Sequence, residues 1–315
     1  MLQSRPLRTA IAAILSFLLF AGFLTLPFAA IPVAAIGLAF GLAEAALVAA
    51  FVLLLTGILL TPTLAISFAI LLILPVMWLV RMALLSRPMA DGEPTGFAFY
   101  PADRLMLIAM AIVSVGTVFM HLSFLNISGG LTQALAEMIY QTPDIRQALE
   151  QVYNISTLEQ INLVAKWMLI SGFAIWPIML LANLQLAQGA MVLMKRNLRP
   201  SPDYHGFTVP RVLLPILAVL LILGLALDGA IASLFLSLAA IALGGYFLLG
   251  LAVIHAISRH WKGRGVFLSA LYFFLLMMAW VFIPVTLMGL LDMRFNFRGL
   301  TSTPDKPSND NREKE

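Results

Sequence analysis

The sequence contains no cysteine and few charged residues, and both shortages limit what the protein can be. Without cysteine, the chain has no disulfides, thiolate metal sites, iron–sulfur clusters or cysteine nucleophile. Charged residues make up only 11% of the 315 residues, whereas hydrophobic residues make up 61%. Soluble domains carry about 25% charged and about 45–50% apolar residues. The composition therefore excludes a soluble enzyme and indicates a polytopic membrane protein.

Motifs for nucleotide and metal chemistry are missing as well. The sequence has no P-loop, dinucleotide fingerprint, nucleophile elbow or H-E-x-x-H helix. The glycines of GGYFLLG at 244–250 lie within a long apolar run, so we interpret them as packing residues. Basic residues are scattered over short loops and do not form the basic patch that nucleic-acid binding requires. We expect no cofactor, no nucleic-acid partner and no enzymatic activity.

Long apolar runs are what the sequence has in abundance. A membrane-spanning helix needs about 20 such residues, and the runs lack the alternation typical of barrel strands. We therefore predict an all-α transmembrane bundle with about eight to nine membrane segments. We also predict one integral membrane domain over 1–298 and a disordered polar tail over 299–315. The apolar runs lie near 8–27, 29–60, 63–85, 104–126, 161–194, 210–228, 230–258 and 265–291.

The distribution of lysine and arginine predicts the orientation, because short basic loops stay in the cytoplasm. The connections 86–103, 195–210 and 259–264 are basic or flanked by arginines, whereas 127–160 is acidic and should lie outside. Arginines also precede the first apolar run. That run is longer than the core of a usual signal peptide, so we interpret it as a retained signal anchor, with cleavage as the alternative.

In the N-terminal half, the number of apolar runs conflicts with the orientation that the charges predict. With the N-terminus and Arg87 both inside, an even number of crossings must precede Arg87, yet only three apolar runs do. The run 29–60 would reach about 48 Å as one helix, or about 24 Å for each of two helices divided near Glu44. We therefore predict a broken, paired or re-entrant arrangement for this run.

The acidic outer loop 127–160 contains two short stretches with apolar residues at helical spacing. They are 131–140 and 144–153, and Asp144 after Pro143 can start the second. We predict two amphipathic helices that lie on the outer membrane surface or over the bundle. They would form either a simple cap or a lid over a ligand site.

Polar residues inside the apolar runs are the candidates for ligand binding, because an ionisable group in a bilayer is costly. Glu44 is a candidate proton, cation or ligand site, or else a turn residue that water reaches. Asn183, Gln185 and Gln188 place three amides on one apolar helix, where they either bind a polar ligand or join helices. We predict that these four residues and Trp176 line a polar pocket. Asn183 points about 160° away from Gln185, so all three amides can face one cavity only if a kink at Pro177 or a wide polar seam allows it. We therefore interpret the face of Gln185 and Gln188 as packing or pocket, and Asn183 as the better ligand candidate.

A ladder of small residues, Gly37, Gly41, Ala45 and Ala49, follows the first apolar run. Small residues at this spacing let helix backbones approach closely in lipid. The ladder therefore indicates either packing within the chain or a docking face for a partner protein.

Short motifs near two helix ends, together with the length and the number of apolar runs, resemble a known family. The motif residues are Asn183, Lys195 and Arg196, then Pro210, Arg211 and Pro215, then Gly289, Asp292, Asn296, Phe297 and Arg298. Over residues 5–298 the chain resembles the YybS-like bacterial membrane proteins, a domain family of unknown function. The resemblance implies an inner-membrane location and a loose similarity to the substrate-binding subunits of energy-coupling-factor vitamin transporters.

Those transporter subunits differ from this chain in two ways. They typically have six helices and dock their partner through an alanine-rich motif on the first helix, where this chain offers only Ala12 and Ser16. We expect an integral inner-membrane protein that binds a small solute or lipid-like ligand as a transport component. Without a phosphate-binding loop, active uptake would need an ATPase partner. The alternative is an assembly factor that docks other membrane proteins through the small-residue ladder.

Overall fold

The structure is a computed structural model, and it describes residues 4–22, 24–88, 97–201 and 206–301. Regular structure in these ranges is helical except for one antiparallel hairpin of β1 (Ser86–Pro88) and β2 (Phe97–Phe99). The predicted all-α class is therefore confirmed. Contacts divide the described chain into two compact units. The second holds 206–207 and everything from Tyr246 onward, and the first holds the rest.

The described residues of the first unit form ten whole helices and the first part of an eleventh. These are α1 (Arg5–Ala21), α2 (Ile31–Phe40), α3 (Leu42–Leu59), α4 (Pro62–Phe68), α5 (Leu74–Leu84), α6 (Ala102–Ser123), α7 (Gly130–Gln141), α8 (Pro143–Tyr153), α9 (Leu158–Leu193), α10 (Leu213–Ala226) and α11 (Gly229–Ile257). A 3₁₀ turn, Leu26–Phe28, precedes α2, and a π-helical stretch, Ala69–Ile73, joins α4 to α5.

The second unit begins in the last three turns of α11 and continues through shorter helices. They are a 3₁₀ turn (Ser258–His260), α12 (Arg264–Met277), a second 3₁₀ turn (Ala279–Val281), α13 (Phe282–Phe295) and α14 (Phe297–Thr301). The axes of α12 and α13 differ by 120°. Most of the predicted tail, 302–315, lies outside the described residues.

Fewer helices are long enough to cross a membrane than the sequence predicts. In the described residues, five helices have the necessary length and hydropathy, and the bent pair α12–α13 would add a sixth. The predicted eight to nine segments are therefore not confirmed. The shortfall arises because two apolar runs form only short helices, α1 with 17 residues and α10 with 14, and because the run 265–291 forms the bent pair α12–α13. The run 29–60 contributes only α3, since α2 has 10 residues. The long apolar helices nevertheless indicate a membrane-embedded, multi-pass protein.

The run 29–60 is broken, as predicted, and Gly41 is the reason. Its φ of +93° lies in a region that side chains with a Cβ rarely adopt, so the chain can leave α2 and enter α3 there. Glu44 lies in the first turn of α3. The run is therefore broken, which is one of the predicted arrangements, and the break at Gly41 falls just before Glu44.

The small-residue ladder packs inside the first unit. A Cβ on Gly37 would lie 2.7 Å from a methyl carbon of Val80 and 3.2 Å from Ala45. Ala45 and Ala49 are both buried. Three of the four ladder residues thus pack within the chain, and Gly37 lets α2 approach α3 and α5; Gly41, in contrast, has no atom within 4 Å of an added Cβ.

One end of the first unit gathers four parts of the chain. Arg8 at the start of α1 stacks over Phe40 at the end of α2, with 4.0 Å between the guanidinium carbon and the ring centre. The Leu198 N–H donates to the Leu38 carbonyl. Arg199 donates to the carbonyls at the end of α5 and after β2. We call this end the basic face; its placement in the cytoplasm stays a prediction.

The two predicted amphipathic helices are confirmed as α7 and α8. Ala136 and Ile139 of α7 form a buried cluster with Ile161 and Ala165 of α9. In contrast, α8 has no buried residue, and only Leu149 packs against that cluster. The first helix therefore covers the bundle, whereas the second leaves most of its surface uncovered.

Candidate functional site: the α1–α2 turn and helix α9

The connection between α1 and α2 breaks the α-helix and holds only the short 3₁₀ turn Leu26–Phe28, and side chains bind backbone carbonyls in and beside it. The Thr25 hydroxyl donates to the carbonyl of Leu19 at 2.9 Å, near the end of α1. The Ser16 hydroxyl donates to the Ala29 carbonyl, and both residues are fully buried. In lipid, non-helical backbone is tolerated only where its polar groups are satisfied within the protein. These bonds therefore allow the turn to lie at membrane depth.

Asn183 of α9 binds the same turn. Its amide nitrogen donates to the Pro27 carbonyl at 2.7 Å and to the Met179 carbonyl at 2.8 Å, and the side chain is fully buried. Both N–H groups of the amide are thus used. The Oδ1 atom has no hydrogen-bond partner among the described residues. The site therefore keeps one buried acceptor that lacks a donor.

Trp176 joins α9 to α5 through a defect in α5. Pro75 has no N–H, so it cannot make the helical bond to the Leu71 carbonyl four residues earlier. The π-helical stretch Ala69–Ile73 lies at this position, and the Trp176 indole N–H donates to the Leu71 carbonyl at 2.8 Å. The indole ring also packs against Gly116, where an added Cβ would lie 3.4 Å from it. Trp176 therefore supplies the donor that Pro75 lacks.

Gln188 binds the loop that follows α9. Its amide nitrogen donates to the Arg199 carbonyl at 2.8 Å, and the Asn197 amide donates to the same carbonyl at 2.6 Å. The Gln188 Oε1 atom is buried and has no partner among the described residues. Gln185, also predicted as a pocket residue, is half-buried.

Glu44 forms an ion-paired cluster with the N-terminal arginines at the basic face. Its carboxylate oxygens lie 2.6 Å from Arg5 Nε and 3.2 Å from Arg8 Nη2. The side chains of Glu44 and Arg8 are 12% and 15% exposed, whereas that of Arg5 is 60% exposed. Glu44 is therefore at a junction of two helices, as one interpretation had it, and Arg5 and Arg8 are its partners.

The five predicted pocket residues do not meet at one cavity. Glu44 and Gln188 lie at the basic face, Asn183 about 8 Å farther along α9, and Trp176 about 10 Å beyond Asn183. None of them lines the shallow apolar groove of about 510 Å³ between α6 and α11. A ligand role for each residue stays a prediction. The structure shows that four of them connect separate parts of the chain, with Gln185 as the exception.

Exposed aromatic residues mark two levels along the first unit. Trp167 of α9 is 61% exposed. At the rise of a regular α-helix it lies about 31 Å from Gln188, along a helix that contains Pro177. This length matches the roughly 30 Å of a hydrocarbon core, and tryptophan concentrates at its boundaries. Near the basic face, Trp78 is also exposed and pairs with Arg81, at 5.3 Å from ring centre to guanidinium carbon.

Helix α1 ends beside α4 rather than beside the turn between α3 and α4. Phe20 stacks on Phe68 of α4, with 4.1 Å between ring centres. Phe68 lies about 10 Å along α4 from Thr61, the N-cap residue at the turn between α3 and α4. The α1–α2 turn therefore lies inside the depth that α3 and α4 cover.

Sequence analysis missed one buried residue that organises the basic face. Arg199 is 5% exposed, and its guanidinium donates to the carbonyls of Ala83 at 3.3 Å and Tyr100 at 3.0 Å. In the sequence it counts only as one more positive charge. A hydrogen bond to a distant carbonyl leaves no pattern in the sequence, so no signal could have found it.

No known protein family, curated protein or solved structure matches this chain. Within the described ranges, no three histidine, aspartate or glutamate side chains come together as a metal-binding group. The site is therefore interpreted from its own geometry alone.

Proposed function

We propose that the protein is a multi-pass bacterial inner-membrane protein that binds a small solute or lipid-like ligand at the α1–α2 turn, as a component of a transport system. The observation that supports this proposal is the buried Oδ1 of Asn183 beside the break between α1 and α2, which in this proposal lies at membrane depth. Interrupted helices of this kind form the substrate sites of many transporters. The ligand would present an N–H or O–H group to Asn183.

The proposal includes a path for the N-terminal hairpin. Helices α1 and α2 enter and leave through the basic face, and their turn stays inside the membrane. With α3 crossing outward and α4–α5 returning, an even number of crossings precedes Arg87, as the charge distribution requires. The hairpin therefore replaces two of the eight to nine segments with one re-entrant element.

The alternative role, an assembly factor, has less support from the described residues. Its proposed docking surface was the small-residue ladder, and Gly37, Ala45 and Ala49 pack against helices of the same chain. An ATPase partner remains part of the transport proposal, because the chain itself has no phosphate-binding loop.

Substitution of Asn183 tests the proposed site. Native mass spectrometry of the detergent-purified protein should show a retained small molecule, and Asn183→Leu should abolish its retention. The same change should lower the free energy of unfolding by about 0.6 kcal/mol, because it also removes the bonds to the turn. Gln185→Leu is the matched control and should retain the molecule. Absence of any molecule from the wild type, or its retention by Asn183→Leu, would contradict the proposed function.

A further inference from the structure

Helix α8 has two chemically distinct sides. Its apolar residues are Ile145, Ala148, Leu149, Val152 and Tyr153, which occupy about 140° of the helical circumference, and its charged and amide residues occupy the rest. Of these five residues of α8, only Leu149 packs on the α7–α9 cluster. Val152 and Tyr153 are 68% and 69% exposed. The chain therefore covers the apolar side of α8 only at Leu149 and leaves the rest of it exposed.

The position of α8 along the axis of α9 indicates what covers the apolar side of α8. Leu149 reaches the cluster around Ile161 and Ala165, and the chain then enters α9 at Leu158. These positions lie about 3 to 14 Å beyond Trp167 on the side away from the basic face. Interfacial helices bury their apolar side about 5–10 Å into the boundary of headgroups and acyl chains.

Neighbouring residues of α9 fit the same layer. Leu163 and Trp167 are exposed and apolar, and Lys166 between them is half-buried. Tryptophan and lysine are the residues that commonly anchor a helix at a membrane boundary. An apolar strip thus continues from α9 to the height of α8.

We propose that α8 is an interfacial helix whose Ile145–Ala148–Val152 side inserts into the lipid leaflet opposite the basic face, while α7 alone covers the bundle. The occupant of this surface is lipid, not a second copy of the chain. A free lid would instead leave this side in water. The proposal does not depend on a ligand at Asn183.

Spin labels can test the proposal cleanly, because the chain has no cysteine of its own. Val152→Cys and Ile145→Cys would carry the label on the apolar side, and Gln147→Cys, on the polar side, is the matched control. All three positions are exposed, so the label should not disturb packing. The labelled protein would be reconstituted into phosphatidylethanolamine–phosphatidylglycerol vesicles.

We expect the ratio of oxygen to nickel-chelate accessibility to be at least threefold higher at positions 145 and 152 than at 147. Equal ratios would show that α8 lies in water and would overturn the proposal. Line broadening at 152 that disappears on dilution with unlabelled protein would show a second copy at this surface, and that result would overturn it too.

Discussion

Replacing Gly250 by alanine should lower the free energy of unfolding by about 3 kcal/mol, because no space exists for a methyl group there. A Cβ on Gly250 would overlap the Val285 carbonyl oxygen, and a Cβ on Gly289 would overlap the Tyr246 carbonyl oxygen. The contact between α11 and α13 is therefore reciprocal. Since the obstacles are backbone atoms on both sides, a rotamer change cannot relieve the overlap. Thermal unfolding in detergent measures the effect.

A matched glycine distinguishes this contact from a general effect of helical glycine. Gly189 lies in α9 with no atom within 4 Å of an added Cβ. Gly189→Ala should leave stability unchanged or raise it by up to about 1 kcal/mol, because alanine is the better helix former. Equal stability of the Gly250 and Gly189 variants would show that α11 and α13 are farther apart than described.

Removing the Arg8 side chain should cost about 2–3 kcal/mol of folding free energy. Breaking a buried ion pair costs about 3–5 kcal/mol, and Arg5 would still offset part of the charge that Glu44 is left with. Arg8→Ala also removes the stacking on Phe40. Chemical unfolding of the purified variant measures the loss.

Two further variants distinguish the buried Arg8–Glu44 pair from the exposed Arg5–Glu44 pair. Arg5→Ala should cost less than about 1 kcal/mol, because an exposed pair contributes little. The double variant Arg8→Leu with Glu44→Leu should recover most of the stability, since apolar residues can replace a buried pair. If Arg8→Ala were no more costly than Arg5→Ala, Glu44 would not depend on Arg8, and a role as a proton or cation site would gain support.

Hydrophobicity and turn chemistry made much of the first unit predictable. The runs 63–85, 104–126, 161–194 and 230–258 each became one long helical segment, because long apolar runs form helices almost regardless of their neighbours. The break near Glu44 was predictable because the run 29–60 fits neither one nor two ordinary spans. The segment count failed because hydrophobicity does not distinguish a spanning helix from a short apolar helix buried among others.

In the candidate site, the sequence predicts which polar residues are unusual but not which groups they bind. Asn183 and Gln188 were identified as unusual polar residues, which follows from the cost of placing them in lipid, and Trp176 was predicted to line the same pocket. Their partners are main-chain carbonyls of Pro27, Leu71 and Arg199. Those carbonyls are free because of local turns and a proline, and only the fold brings them within reach of α9.

Labelling of single cysteines tests the re-entrant path of the α1–α2 hairpin most directly. Leu24 lies at the exposed tip of the hairpin, and Leu60 lies at the turn between α3 and α4, so the variants Leu24→Cys and Leu60→Cys place one cysteine at each position. A membrane-impermeant maleimide is added from each side of the membrane, and a permeant reagent after denaturation shows that each cysteine is present. We expect Leu60→Cys to react from the side opposite the basic face and Leu24→Cys to remain unlabelled from that side. Equal labelling of both positions from that side would show that the hairpin crosses the membrane completely.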